Sequence, residues 1–471
     1  MRKKSRLTWS ALLAVSGCAT ILCAQGPPGL RLDAAYQAAV ADYKAGRYAQ
    51  AAHRLEAMLP YAAKSFELHE LLGLTYASMA ENAKAQSQLQ QAVELKPDSA
   101  AGRTNLGAML LRSGKGAQAG EQFRKALELE PGSYDANHNL GELYANSGRV
   151  AEAQPLLATA YRVKPGAYDN SYDLAMADFL LGRLDEAREV IQELAKERNT
   201  GELHNLQAQI DEKQGRFVDA ANEYETAAHL DPTEDNLFDW GSEMLLHRTY
   251  EPATSIFQAG VERYPNSARM TIGLGLALYS RDRYDDAVKA LLKAVALTPA
   301  DPRCYYFLSK AYDSSPTEAD EVIQAFRRYS EVEPRNALAQ YYYALSLWKG
   351  RRSQGAAPDL QLVESLLKKA ISLNDRLPQA HLQLGDLYAD QHMYERSVPE
   401  YERALALNPD LSDAHYRLGT DYVHLGQKEK AEREFAVYQK LRAEHLAEVD
   451  KERADVKQFV YSAKEPAASK Q

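Results

Sequence analysis

The apolar positions of this chain recur with a period of 34 residues, laid over the short period of an amphipathic helix. A small residue occupies the eighth position of each unit. It is glycine at Gly73, Gly107, Gly141, Gly241, Gly275, Gly385 and Gly419, and alanine or serine in the remaining units. Alanine recurs twelve positions later, as Ala85, Ala119, Ala153 and Ala287, and a large residue follows four further on, as Leu89, Phe123, Leu157 and Leu291. Spacing of i, i+4 puts both on one face of a second helix. Two helices approach closely only where one side chain is nearly absent, so the small slot predicts a tight crossing within each unit. Between the helices stand Gly46, Gly114, Gly148, Gly182, Gly215 and Gly426, suited to a left-handed helix end. Pro97, Pro131 and Pro165, 34 apart, stop the second helices. Residues 33–441 hold twelve such units. The interval from Pro334 to Pro409 is 75, seven more than two periods, which places an insertion around 350–358. In the ninth unit Pro316 stands in place of the turn glycine, so the ninth and tenth units depart most from the pattern.

Leu106-Gly107, Gly114, Ala119, Phe123, Ala126-Leu127 and Pro131 match the signature of the tetratricopeptide repeat almost position for position, and the chain resembles that family over residues 33–441. The resemblance implies an all-α, right-handed α-solenoid of about twelve 34-residue helix–turn–helix repeats. It also implies a concave groove lined by positions 2, 5, 6, 9, 12 and 13 of the first helices. An open solenoid end exposes an apolar face. Accordingly Arg442–Val460, with Leu446, Val449, Val456 and Phe459, reads as a capping helix, and Ser462–Gln471 as a polar tail.

The first segment is an address rather than part of the repeats. In residues 1–24, Arg2, Lys3, Lys4 and Arg6 precede an apolar stretch without acidic residues, as in a secretory signal. Val15-Ser16-Gly17-Cys18 resembles the lipobox of bacterial lipoproteins, which makes Cys18 a lipidation candidate; cleavage after Ala24 is the alternative. Both point to export, with the protein in the periplasm or on the periplasmic face of the outer membrane, and to membrane contact only through an N-terminal lipid. Removing four basic residues shifts the net charge from −9 to −13. Such a chain lacks the basic field that nucleic acid requires. Three cysteines build no disulfide framework, and Cys304 alone lies in the repeats.

Motifs for chemistry are missing: there is no P-loop, HExxH, CxxC, GxSxG or EF-hand loop, and so no expected catalytic residue, cofactor or metal. His69, His204, His381 and His415 share the fourth position of the first helix, one per repeat, too dispersed for one tetrahedral ion, and read as fillers of a half-buried slot. The groove positions carry more. Asn105 and Asn139 occupy the sixth position one repeat apart, with His138 beside Asn139, a spacing that resembles asparagine ladders holding a peptide backbone. In units eight to ten, Tyr279, Tyr306, Phe307, Tyr341, Tyr342 and Trp348 fall on groove positions, with Arg303, Lys310 and Lys349 among them. The chain has 29 Tyr against 10 Phe; most, such as Tyr76, Tyr144 and Tyr388, fill slots between helices, while this cluster has no such assignment. Exposed aromatic rings mark binding surfaces; the alternative is that they fill a distorted core. The expected function is a non-enzymatic scaffold of the bacterial cell envelope, holding a protein or peptide in its groove during assembly or export of envelope components. A polysaccharide stacked on Tyr306, Tyr342 and Trp348 is the other reading.

Overall fold

A computed structural model describes residues 32–353 and 359–444, and every regular element among them is helical. Twenty-three helices run from Leu32–Lys44 to Ser412–His424, and residues 428–444 add one more. They alternate as first and second helices, commonly of 13 and 14 residues, as in Ala100–Arg112 and Gly116–Leu129. The helices fall into two compact units, residues 32–216 and 217–444, divided within the sixth repeat between Gly201–Lys213 and Phe217–Leu230. The leader with Cys18, residues 354–358 and everything beyond 444, including most of the expected capping helix, lie outside the described residues.

The small slot works as its spacing implies. A Cβ placed on Gly107 would lie 2.5 Å from the Phe123 ring, and one on Gly385 would lie 2.5 Å from Tyr401. Gly73 faces Leu89 and Gly275 faces Leu291 at 2.6 Å in the same sense. Each large residue of the second helix therefore fills the space where a first-helix side chain is missing, and Phe123, Leu89 and Tyr401 are fully buried. The alanines preceding them, Ala85, Ala119 and Ala153, have no exposed surface.

The turn between helices needs one left-handed residue whatever the sequence offers. Gly114 and its five counterparts have φ near +74°, but Ala80, Arg248, Asp282 and His392 adopt φ of 59° to 62° at the equivalent place. A side chain there costs roughly 1–2 kcal/mol. In the ninth repeat the left-handed residue is Glu318, two positions beyond Pro316, because proline cannot take positive φ.

Several fourth-position side chains share one task that their chemical variety conceals. Arg103 donates from Nε to the Pro97 carbonyl (2.7 Å), Asn137 to Pro131 (2.9 Å), Ser171 to Pro165 (2.8 Å) and Tyr305 to Pro299 (2.9 Å). His69 Nε2 lies 3.0 Å from the Ala63 carbonyl and His415 Nε2 3.0 Å from that of Pro409. A carbonyl only accepts, so these nitrogens carry the proton. Each bond reaches six residues back and satisfies an oxygen of the loop left by the second helix. His69 and His415 are thus loop latches, while His69, His381 and His415 all turn Nδ1 to the following second helix, at Gln88, Glu400 and Glu434.

The insertion of the tenth repeat begins as helix. Ala337–Ser353 has 17 residues, four more than the usual first helix.

Candidate interaction faces

Within residues 32–216 every first helix touches the next first helix in the series, whereas second helices of this unit are not drawn together to the same extent. Side chains on successive first helices therefore share one face. Asn105 donates from Nδ2 to Glu70 Oε1 across that interface (3.0 Å), and Arg112 donates to the Ala77 carbonyl (2.9 Å). His138 stacks on Tyr134 with centroids 5.7 Å apart, and its Nδ1 lies 3.2 Å from Oδ1 of buried Asn170. Asn139 turns back on its own helix and donates to the Asp135 carbonyl (2.7 Å). The two asparagines engage different partners and are not arranged as equivalent rungs of a ladder.

Carboxylates dominate this face. Burial pushes Glu70 up to about 7 against the opposing Asn105 amide. Asp173 is also pushed up to about 7, by burial first and then by Glu142, Asp169 and Glu202. Glu142 is raised by burial, with His138 opposing. Among the described residues Asp173 has neither a hydrogen-bond donor nor a cation beside it. The basic residues bordering the face sit on aromatic rings: Lys96 over Phe66 (5.3 Å), Lys164 over Tyr134 (4.0 Å), Arg198 over Tyr168 (5.1 Å) and Lys213 over Phe179 (4.0 Å). These acids stand on positions 2, 5, 6 and 9, the same positions read for asparagine and aromatic residues, so their placement was visible in the repeat register. What register does not show is their depth.

The face of residues 217–444 is differently made. Tyr306 is exposed, meets Phe307 edge-on (5.1 Å), and has Lys310 Nζ 5.9 Å from its centroid. Arg303 forks onto the helix cap Asp301 through Nε and a terminal nitrogen, and that pairing holds Asp301 below the usual carboxylate range. Tyr279 packs edge-on against Tyr284 (5.3 Å). Tyr341 is largely buried beside Tyr342. Tyr342 and Trp348 are core residues, each 6% exposed. The expectation that these two rings face the groove is corrected here: both are packed into the core, as Leu71, Leu206 and Phe179 are at the same positions of other repeats, whereas Asn139 and Asp173 at position 6 stay half-buried and Asp313 at position 12 is exposed. A platform of Tyr306, Tyr342 and Trp348 is therefore not formed, and of the three rings Tyr306 alone is open. Several acids on this face meet cations. Asp386, pushed up to about 6 by burial, accepts from Tyr401 (2.8 Å) and pairs with Arg417 (3.0 Å). Arg269 bridges Glu234 and Asp235 (2.6 and 2.7 Å), and Lys349 pairs with Asp313.

Among the described residues no group of three or more His, Cys, Asp or Glu is placed to hold a metal ion, and no helix is long and apolar enough to cross a membrane. Cys304 is buried, and its thiol is raised by burial.

Family models described as tetratricopeptide repeat match residues 71–134, 110–160, 147–210, 250–302, 308–365 and 378–411, together more than half of the chain. No curated protein matches. Among solved structures the chain is similar to yeast Tom70 (16% identity, 92% of this chain, 95% of that one, TM-score 0.36). It is also similar to the Naa15/Naa10 complex bound to HypK (16%, 87% and 68%, 0.35) and to PilF of Pseudomonas aeruginosa (20%, 44% and 94%, 0.37). Likeness at these levels carries no argument about partner or pathway.

Proposed function

The chain belongs to the tetratricopeptide repeat family, and from that premise we propose that it is an exported scaffold of the bacterial cell envelope that holds a protein partner on its first-helix faces. Proteins of this family generally mediate protein–protein contacts and are generally not enzymes. The observation that carries the reading is the contiguous face of first helices in residues 32–216, whose polar side chains are only half-buried and whose Asp173 has no partner of its own. Export is supported by the basic and then apolar pattern of residues 1–24, and tethering by Val15-Ser16-Gly17-Cys18. Stable membrane attachment takes more than one acyl chain. Assembly or export of envelope components is the setting this combination suits.

Two measurements test it. A photo-crosslinking side chain at Asn139 or Tyr306, on first helices, is expected to capture a partner in envelope fractions, while the same probe at Glu128 or Lys293, exposed on second helices, is not. Capture from the second-helix positions alone would overturn the reading. Mass spectrometry of the mature N-terminus is expected to find acylated Cys18; an N-terminus at Gln25 would remove the tether and leave a free exported protein.

A further inference from the structure

The reading of the first-helix faces as partner surfaces leaves open what chemistry each accepts. We propose that the face of residues 66–213 docks an extended, lysine- and arginine-rich segment of its partner. This inference rests on the functional reading above and narrows it.

Charge complementarity is the first argument. Glu70, Glu142 and Asp173 form no ion pair among the described residues, and Asp169 and Glu202 stand close enough to Asp173 to repel its charge. Glu70 accepts from Asn105 and Glu142 faces His138, but Asp173 meets neither donor nor cation and has Glu142 on the preceding first helix. Carboxylates are ordinarily paired when they lose water, so this excess of negative charge suits a partner's cation. The second argument is independent of the acids. The aromatic rings on the same helices already take cations from the chain's own loops and helix ends: Lys96, Lys164, Arg198 and Lys213 lie 4.0–5.3 Å from ring centroids. Rings beside carboxylates suit ammonium and guanidinium groups, which are attracted to both. The third argument is reach. Five first helices, from Phe66–Ser78 to Gly201–Lys213, spaced about 8–10 Å apart, cover roughly 30–40 Å. That is the span of about 12 extended residues. Asn105 and Asn139 stand along the middle of this span; each uses one amide hydrogen within the chain, on Glu70 and on the Asp135 carbonyl, and keeps a second hydrogen for a peptide backbone.

The test uses the mature chain and three labelled 12-residue peptides, one of alternating Lys and Ser, one of alternating Glu and Ser, and one of Gly and Ser, followed by fluorescence anisotropy in about 50 mM salt. The lysine peptide is expected to bind saturably at 1:1, with an affinity falling as salt rises, and the other two are not. Glu70→Gln, Glu142→Gln and Asp173→Asn combined are expected to weaken it at least tenfold. The control combination Glu94→Gln, Glu128→Gln and Glu189→Gln removes the same charge from exposed second-helix positions and is expected to change it less than twofold. The first combination removes like-charge repulsion, so its circular dichroism melt should not fall. Equal loss in both combinations, or no preference for the lysine peptide, would overturn the inference. So would calcium at constant ionic strength displacing the peptide while raising the melting temperature, which would mark the row as a cation site. If the Asn139 crosslinker still captures the envelope partner in such a case, the functional reading stands and only this narrowing falls.

Discussion

The first-helix faces of residues 32–216 and 217–444 are built on one repeat and solve their charge in opposite ways. In the second, Asp386 is buried but meets Arg417 and Tyr401, and Lys349 meets Asp313. In the first, Asp173 is half-buried and has Glu142, Asp169 and Glu202 near it. The second also turns its aromatic rings inward at Tyr342 and Trp348. The lesson is that a shared backbone period does not dictate a shared surface: one face is closed by its own side chains, and the other is left with unsatisfied charge.

The largest expected effect separates rings that look alike in sequence. Trp348→Ala should cost about 3–5 kcal/mol in urea unfolding, because it empties a core site, whereas Tyr306→Ala should stay within about 0.5 kcal/mol. Equal effects would erase the distinction between the buried and the open ring.

Next comes the charge contrast, read by removing the acid from one face and the cation from the other. The folded-state pKa of Asp173 lies at about 7, above the ordinary carboxylate value. The folded state therefore binds the proton more tightly, and stability is lost as pH rises from about 4 through about 7. Asp173→Asn should gain on the order of 2 kcal/mol at pH 8 and little at pH 4, flattening the pH profile of the melting temperature. Arg417→Ala, by contrast, should cost about 1–2 kcal/mol at pH 8, since it leaves buried Asp386 without its cation. A gain from Arg417→Ala, or a loss from Asp173→Asn at pH 8, would break the comparison.

The smallest effect treats both units alike. Ala80→Gly and His392→Gly should each gain about 1 kcal/mol, because both residues hold φ near +60°. Gly114→Ala should lose a similar amount. All three are read from thermal melts.

How much of this was legible in sequence depends on how far each feature reaches. The Gly107–Phe123 crossing lies 16 residues apart on paired helices and is fully specified by the small-then-large pattern. The turns were legible where glycine marks them and silent at Ala80 and Arg248, where a residue with a side chain takes the same left-handed conformation. Tyr342 and Trp348 were assigned to the groove because six helix positions were treated as equally open. Whether positions 6 and 12 are covered changes from repeat to repeat, from buried Tyr342 and Trp348 to exposed Asp313, and that depends on residues a repeat away. The depth of the acids was hidden for the same reason, although their positions were not. A carboxylate on a solvated helix face and one against three others have the same local sequence, and only the helix-to-helix approach distinguishes Asp173 from Glu128. The fourth-position latch was hidden by chemical variety: arginine, asparagine, serine, tyrosine and histidine share little except a donor and a carbonyl six residues back.

The central claim is that cationic polypeptide meets the first-helix face of residues 66–213 and not the matched face beyond it. Carboxyl footprinting reads this residue by residue: a water-soluble carbodiimide couples exposed carboxylates to an amine, and mass spectrometry locates the label with and without the lysine peptide. The account predicts that the peptide suppresses labelling at Asp135, Glu142, Asp169 and Asp173 while Asp313, Asp390 and Glu128 label unchanged. Uniform suppression across all of them, or suppression confined to second-helix acids, would contradict it.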